Sequence, residues 1–388
     1  MNFNFSQAQQ EIYELVGYLA RERFAARAAE HEREQTLPLD NLADLHEHGL
    51  LGLTIAKDHG GMGSGVMGED PTLYLLAVEQ TARVDLSTAH CLHIHLHATH
   101  LIDQVGTAEQ REQLLGPVLK QGALIAAVGS EPGRTARGVY AFNTTAQPVR
   151  DGVVLNGHKN YATMGQVART IIVFATLKGR SMVDGHIGVA VPNGTAGLTI
   201  VPDTWDLSGM RAAVSPDMRL EDCFMPNTAI VGEPGVYPRE RWQARHYLSL
   251  AAQYLGACEG IFDCLTTYLP QRGTAGEGYT QLRLGEARVL IDAVRWLVYR
   301  AAWLWTQGDL QRAELFSLVA KHHATRNAAE VMDLAAQIAG SSALKNDEPM
   351  SRMLRDLRVH TLHSNLDKTA ATIGKFHLGQ SFDTTDRL

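Results

Sequence analysis

The sequence predicts an α+β chain, mostly α, in three parts. These are an N-terminal helical domain over residues 1–122, a middle antiparallel β-barrel or sandwich over 123–236, and a C-terminal four-helix bundle over 237–388. Apolar residues recur at helical spacing on both sides of a middle third in which the period falls to two. That middle third is cut into short runs by Gly, Asn, Pro and Asp, as small all-β units are. The length, 388 residues, also exceeds what one ordinary core fills.

The elements follow in order. Ser6 and Gln9 form a capping-box pattern, and Ile12, Leu15, Val16 and Leu19 continue it at helical spacing. Further helices are expected over 39–48, 71–82, 87–105 and 108–121. The glycine run from Gly60 to Gly65 lacks the Lys-Ser/Thr of a phosphate loop, so it is expected to be a tight connection. Strands are expected over 124–128, 153–155, 170–175, 187–191, 198–201 and 218–220. Four long helices should then cover 238–269, 279–306, 310–339 and 350–375, with Gly340 ending the third. Trp296, Tyr299, Trp303 and Trp305 read as core and interface residues of that bundle.

Composition narrows the function. The chain is 45% apolar and 20% charged, as globular proteins are. A net charge of −7 with no basic stripe argues against nucleic acid as a partner. No apolar run reaches membrane-spanning length, and the polar start does not read as a signal peptide. Cys91, Cys223, Cys258 and Cys264 are scattered, as reduced thiols of a cytoplasmic protein would be.

Two short stretches in the β region carry the functional signal. In Ser130-Glu131-Pro132-Gly133, Pro132 fixes one torsion of a turn and Gly133 permits the next. Asn156-Gly157-His158-Lys159-Asn160-Tyr161-Ala162-Thr163 is expected to begin at an Asn-Gly turn and enter a β segment. Such turns bring backbone N–H groups and short hydroxyls close to a planar heteroaromatic ring.

With these motifs in this helix–sheet–helix order, nearly the whole chain resembles the acyl-CoA dehydrogenase superfamily. The two stretches resemble its Thr/Ser-Glu-Pro and Asn-Gly-x-Lys-x-Trp-x-Thr motifs. Gln337-Ile338-Ala339-Gly340 resembles its Gln-x-x-Gly-Gly turn, Arg355-Asp356 the Arg-Asp before its catalytic segment, and Gly60 to Gly63 its Gly-Gly-x-Gly loop. The resemblance implies FAD, with FMN as the alternative because the loop from Gly273 to Gly278 is short. It implies that Ser130 and Thr163 hydrogen-bond the flavin and that Tyr161 and Ala162 lie along it. Arg272, with Gln337 to Gly340, would reach the dinucleotide of a neighbouring subunit in a homodimer or homotetramer. A small-molecule substrate, a CoA thioester among the candidates, and a flavoprotein electron acceptor or a flavin reductase are the implied partners.

The family's catalytic glutamate is missing. Its position after Arg355-Asp356 is Ser364, and the alternative position on the first bundle helix falls near His246. A serine without a partner base has no affinity for a carbon-bound proton. The segment His360-Thr361-Leu362-His363 instead resembles that of flavin monooxygenases of the dibenzothiophene monooxygenase type, which makes His363 the first candidate catalytic residue. His90, His93, His97 and His100 share one helix face, with His95 nearby. No carboxylate lies among them, so cavity lining is expected rather than a metal, and His93 is the second candidate. Three functions compete. One is oxidation of an acyl-CoA-type substrate at its CH–CH bond. The second is oxygenation of a small apolar or heteroaromatic compound by reduced flavin, and the third is flavin binding without turnover.

Overall fold

A computed structural model describes residues 4–133, 142–181, 183–363 and 365–380. Six helices come first: α1 (Gln7–Leu19), α2 (Ala25–Glu34), α3 (Leu39–Glu47), α4 (Pro71–Ala82), α5 (Leu86–Val105) and α6 (Ala108–Gln121). The Ser6 capping box forms: Gln9 N–H donates to Ser6 Oγ (3.3 Å) and Ser6 N–H to Gln9 Oε1 (3.0 Å). Asp70 and Asp85 cap α4 and α5, accepting from Thr72 N–H (2.9 Å) and Ser87 N–H (3.0 Å). The glycine run is the tight connection expected, held by Gly63 N–H to Ile55 O (2.8 Å) and Ser64 N–H to Leu53 O (2.7 Å).

The strands are β1 (Ile125–Val128), β2 (Thr145–Val149), β3 (Gly152–Lys159), β4 (Thr170–Leu177), β5 (His186–Pro192), β6 (Leu198–Val201), β7 (Asp217–Pro226) and β8 (Ile230–Val231). They form one sheet in the order β6-β7-β3-β2-β4-β5-β8, with β1 also on β4. It is mixed rather than antiparallel. β1 lies parallel to β4 over Thr170–Val173, and β2 parallel to it over Thr176–Leu177. A period of two reports which face is buried and is silent on strand direction, so the sequence could not show this. β4 joins two cores. Ile171 and Val173 face the sheet's own interior, while Ile172 and Phe174 enter the helical core that includes α5.

The expected Asn156-Gly157 turn is a bulge inside β3, where the register with β7 shifts between Leu155 and Gly157. A Cβ on Gly157 would come 2.4–2.7 Å from Thr144, so glycine is there for close approach of β2. The reversal between β2 and β3 lies instead at Asp151, with φ 64°.

After α7 (Val236–Arg239) come α8 (Trp242–Arg272), α9 (Gly278–Trp305) and α10 (Leu310–Ala339), close to the three helices expected. The fourth expected helix is two, α11 (Pro349–Thr361) and α12 (Leu366–His377). Leu362 and His363 turn back onto Val359 O (3.2 Å) and His360 O (3.1 Å), and Asn365 Oδ1 caps α12 through Lys368 N–H (3.0 Å). Apolar spacing continues across this break and hid it. The break leaves His363 on a turn.

Candidate active site

The two motif stretches meet through a buried ion pair. Lys159 Nζ lies 2.9 Å from Glu131 Oε1, with the two side chains 0% and 1% exposed. Glu131 also accepts Asn143 N–H (2.7 Å) and Thr144 N–H (2.8 Å). Burial alone would raise the Glu131 carboxyl; the Lys159 ammonium and these donors outweigh it and hold it below the usual range. Asn160 N–H then donates to Ser130 O (3.2 Å). Glu131 and Lys159 had no role assigned from sequence, and they are what aligns the two loops.

At the rim of this clamp Ser130 is exposed and Tyr161, with φ 57°, is 54% exposed. The Tyr161 ring stands edge-on to Trp205 at 6.1 Å. Ala162 is buried and its N–H is bound to Pro216 O (2.9 Å), so it contributes shape and no free donor. Thr163 is buried with Oγ1 2.9 Å from Ser215 Oγ, and Ser215 donates to Ala213 O (2.9 Å). With the Ser215 hydrogen given to Ala213 O, the shared bond runs from Thr163 to Ser215, which leaves the Thr163 oxygen able to accept. Asn160 Oδ1 is buried without a partner beside them. An unmet acceptor, an exposed tyrosine face and a hydroxyl oxygen able to accept fit the polar edge and ring of a flavin.

α11 is pinned against this side of the sheet. Met210 N–H donates to Asp356 Oδ1 (2.5 Å), and Gly209 lies so close to Arg355 O that a Cβ would come within 2.2 Å. His360 and His363 follow on the last turn of α11 and beyond it. Their rings lie 6.3 Å apart, with His90 5.0 Å from His360 and 6.4 Å from His363. His363 is exposed, yet burial of its surroundings and the Lys321 ammonium push it down to about 4. Lys321 is itself 6% exposed, 3.9 Å above the Tyr247 ring, and lowered by burial to about 7. Nothing in the helical pattern singled it out; it is one of several polar residues on a long amphipathic helix.

His93 is buried deeper. Its Nδ1 is 2.8 Å from Ser249 Oγ, and its ring lies 6.0 Å from His90 and 4.4 Å from His246. Burial pushes both His93 and His246 well down. His95 is structural, accepting Ile125 N–H (3.1 Å) and sitting 3.1 Å from Leu51 O through its other nitrogen. Among the described residues no group of three or more His, Cys, Asp and Glu is arranged for a metal. Ser364 lies outside the described residues.

Arg272 and Gly340 come together at the far end of the bundle. Arg272 Nη1 donates to Ala339 O and to Tyr268 OH (3.2 Å), and Gly340 ends α10 with φ 71°. Arg272 and Gln337 are both exposed there.

Three family models match in register: the acyl-CoA dehydrogenase N-terminal domain over residues 6–122, middle domain over 126–223 and C-terminal domain over 245–364. The fold and the paired loops define a flavoprotein oxidoreductase. The chain belongs to the acyl-CoA dehydrogenase family. It is 28% identical to the short-chain specific acyl-CoA dehydrogenase of Clostridium acetobutylicum, covering 94% of this chain and 96% of that one. It is 29% identical to acryloyl-CoA reductase (NADH) of Anaerotignum propionicum, covering 94% and 92%. Butyryl-CoA dehydrogenase of Megasphaera elsdenii superposes with TM-score 0.89 at 25% identity, covering 97% of this chain and 100% of that one. FMN-bound TdsC of Paenibacillus sp. A11-2 shares the fold, with TM-score 0.86 at 22% identity over 97% and 99%. No helix among the described residues is long and apolar enough to cross a membrane.

Proposed function

We propose that the chain oxidises a short acyl-CoA thioester at its CH–CH bond, with His363 taking the proton from the carbon next to the thioester carbonyl. What carries this reading is the place of His363 on the turn that follows α11, a helix pinned through Asp356 to Met210 (2.5 Å) in the loop that leads to Ser215 and its partner Thr163. An imidazole lowered to about 4 has the basicity of an ordinary carboxylate, so it can stand in for the family's glutamate. Bound FAD supplies the two-electron acceptor. Ser130, Tyr161, Ala162 and Thr163 would hold its ring. Arg272, Gln337 and Gly340 would hold the dinucleotide of a second copy, so the working unit is a homodimer or a dimer of dimers. An electron-transferring flavoprotein is the partner proposed to reoxidise it.

The test is anaerobic addition of butyryl-CoA to the flavin-loaded protein, followed by absorbance. Bleaching is expected, and His363→Asn should slow it by about 10²–10⁴-fold without loss of flavin. His363 and His93, with no glutamate, also favour a second reading, oxygenation by reduced flavin. That reading replaces the first if no acyl-CoA bleaches the flavin, while an added flavin reductase makes the protein consume O₂ with an aromatic substrate.

A further inference from the structure

Behind the histidines lies a cavity of about 20 Å³ between α5, α8 and the loop preceding α4. That is room for about one or two water-sized groups. Arg245, His93, His100, His246 and Ser249 all line it, and no carboxylate does. Several of these side chains are unsatisfied. Arg245 Nε, His93 Nε2, His100 Nε2 and His246 Nδ1 are buried and have no hydrogen-bond partner. Buried polar atoms left unpaired in a native fold call for an occupant.

The polarity of the lining says what kind. The Arg245 side chain is 9% exposed, its guanidinium lies 4.2 Å over Trp242, and its nearest carboxylate is Glu240 at 3.4 Å. Ser249 can donate to His93 Nδ1 (2.8 Å), which puts a hydrogen on His93 Nε2. His100 spends its Nδ1–H on Thr54 O (3.2 Å), so its Nε2 remains an acceptor for water. Burial holds His97 at about 3 and His100 at about 4, so at neutral pH the fixed charge among the lining residues is Arg245. An alkyl tail here would leave every one of these groups unpaired. An anion would meet a cation and an imidazole N–H.

His93 faces this cavity on one side. On the other it adjoins His90 at 6.0 Å, which adjoins His363 at 6.4 Å. The cavity is thus linked to His363 through the rings of His93 and His90. We propose that it receives the free carboxylate of an ω-carboxyacyl thioester, with Arg245 as its charge partner and His93 as a second donor. This rests on the dehydrogenase reading for the thioester end, and on the cavity alone for the carboxylate end.

Calorimetry on the flavin-loaded protein with glutaryl-CoA and pentanoyl-CoA, matched in carbon count, tests it. Glutaryl-CoA is expected to bind tighter by on the order of tenfold to a hundredfold, as for hydrogen bonds to a charged group. Arg245→Met should bring the two thioesters to near parity. Arg245→Gln, which keeps an N–H donor without the charge, should shrink the difference if the first variant does not fold. Equal or inverted affinities in the wild-type protein overturn the proposal, as does a preference that survives either variant. Bleaching followed in the same samples separates the two readings. If glutaryl-CoA binds tighter yet neither thioester bleaches the flavin, the dehydrogenase reading fails and the carboxylate subsite stands.

Discussion

Lys159 has its side chain fully buried against Glu131, and two backbone N–H groups share the carboxylate. Pairs of this kind matter most when one member is lost, because the remaining charge is stranded. Lys159→Met should therefore cost about 3–5 kcal/mol in urea denaturation, and adding Glu131→Gln should recover much of it. Flavin retention should follow the same order, since the pair sets the spacing of Ser130 and Thr163. The pH dependence has a definite sign. Glu131 is held below its unfolded value near 4.5, so its contribution is present above that value and lost as the pH falls through the folded one. The double variant should show a shallower loss of stability in acid, measured by midpoint against pH. Lys321 gives a second residue-level outcome. Its ammonium helps hold His363 down, so Lys321→Met should raise the His363 value and move the acid limb of kcat/KM to higher pH. Well above pH 7 the two proteins should give the same rate, since His363 is deprotonated in both and the wild-type amine, lowered to about 7, is neutral. An acid limb that stays in place would remove Lys321 from the site's electrostatics.

Helices with strong punctuation were legible in the sequence nearly to the residue. α4 and α6 carry Asp70 and Thr107 as caps, and α10 stops at Gly340. Strand runs were legible too, because alternation survives whichever way neighbours point. What failed had no local signature. The Asn156-Gly157 pair reads as a turn by propensity, and only the approach of Thr144 from β2 makes it a bulge. The break between α11 and α12 depends on a cap at Asn365 inside a stretch that keeps helical spacing. At the site, the two stretches that meet through Glu131 and Lys159 were legible by resemblance, while Lys321, Arg245 and Ser215 were not. Their significance comes from burial and from neighbours far away in sequence. The clasp of Arg272 on the end of α10 was half legible, since the two motifs were recognised separately. Arg272→Ala should leave the fold intact by circular dichroism and weaken flavin retention by roughly ten- to hundredfold, the scale of a lost hydrogen bond to phosphate. Arg272→Lys should restore only part of it, because the two-pronged contact is gone. Full retention in both variants would place Arg272 in the helix-end clasp alone.

The outer face of α9 determines how such a helix end could serve a flavin at all. Leu282, Val289, Trp296 and Trp303 are 56%, 69%, 49% and 47% exposed, spaced seven residues apart. Seven residues fall about 20° short of two full turns, so the four side chains form one slowly drifting stripe roughly 32 Å long. A continuous apolar stripe of that length on an otherwise charged helix is what an interface helix presents. α9 begins at Gly278, six residues beyond Arg272, so a second copy docked along the stripe would be near the Arg272–Gly340 end as well. Assembly and flavin retention should then be one property. The wild-type protein should sediment as a dimer or a tetramer, and Val289→Glu with Trp303→Glu should lower its mass. The same double variant should lose flavin to the extent that Arg272→Ala does, although neither residue is near Thr163 in the fold. Adding Arg272→Ala to it should cause no further loss, because an arginine can serve a neighbouring site only when the neighbour is there. A wild-type monomer at micromolar concentration with full flavin content would refute this coupling. Additive losses in the combined variant would place the Arg272 contact within a single chain.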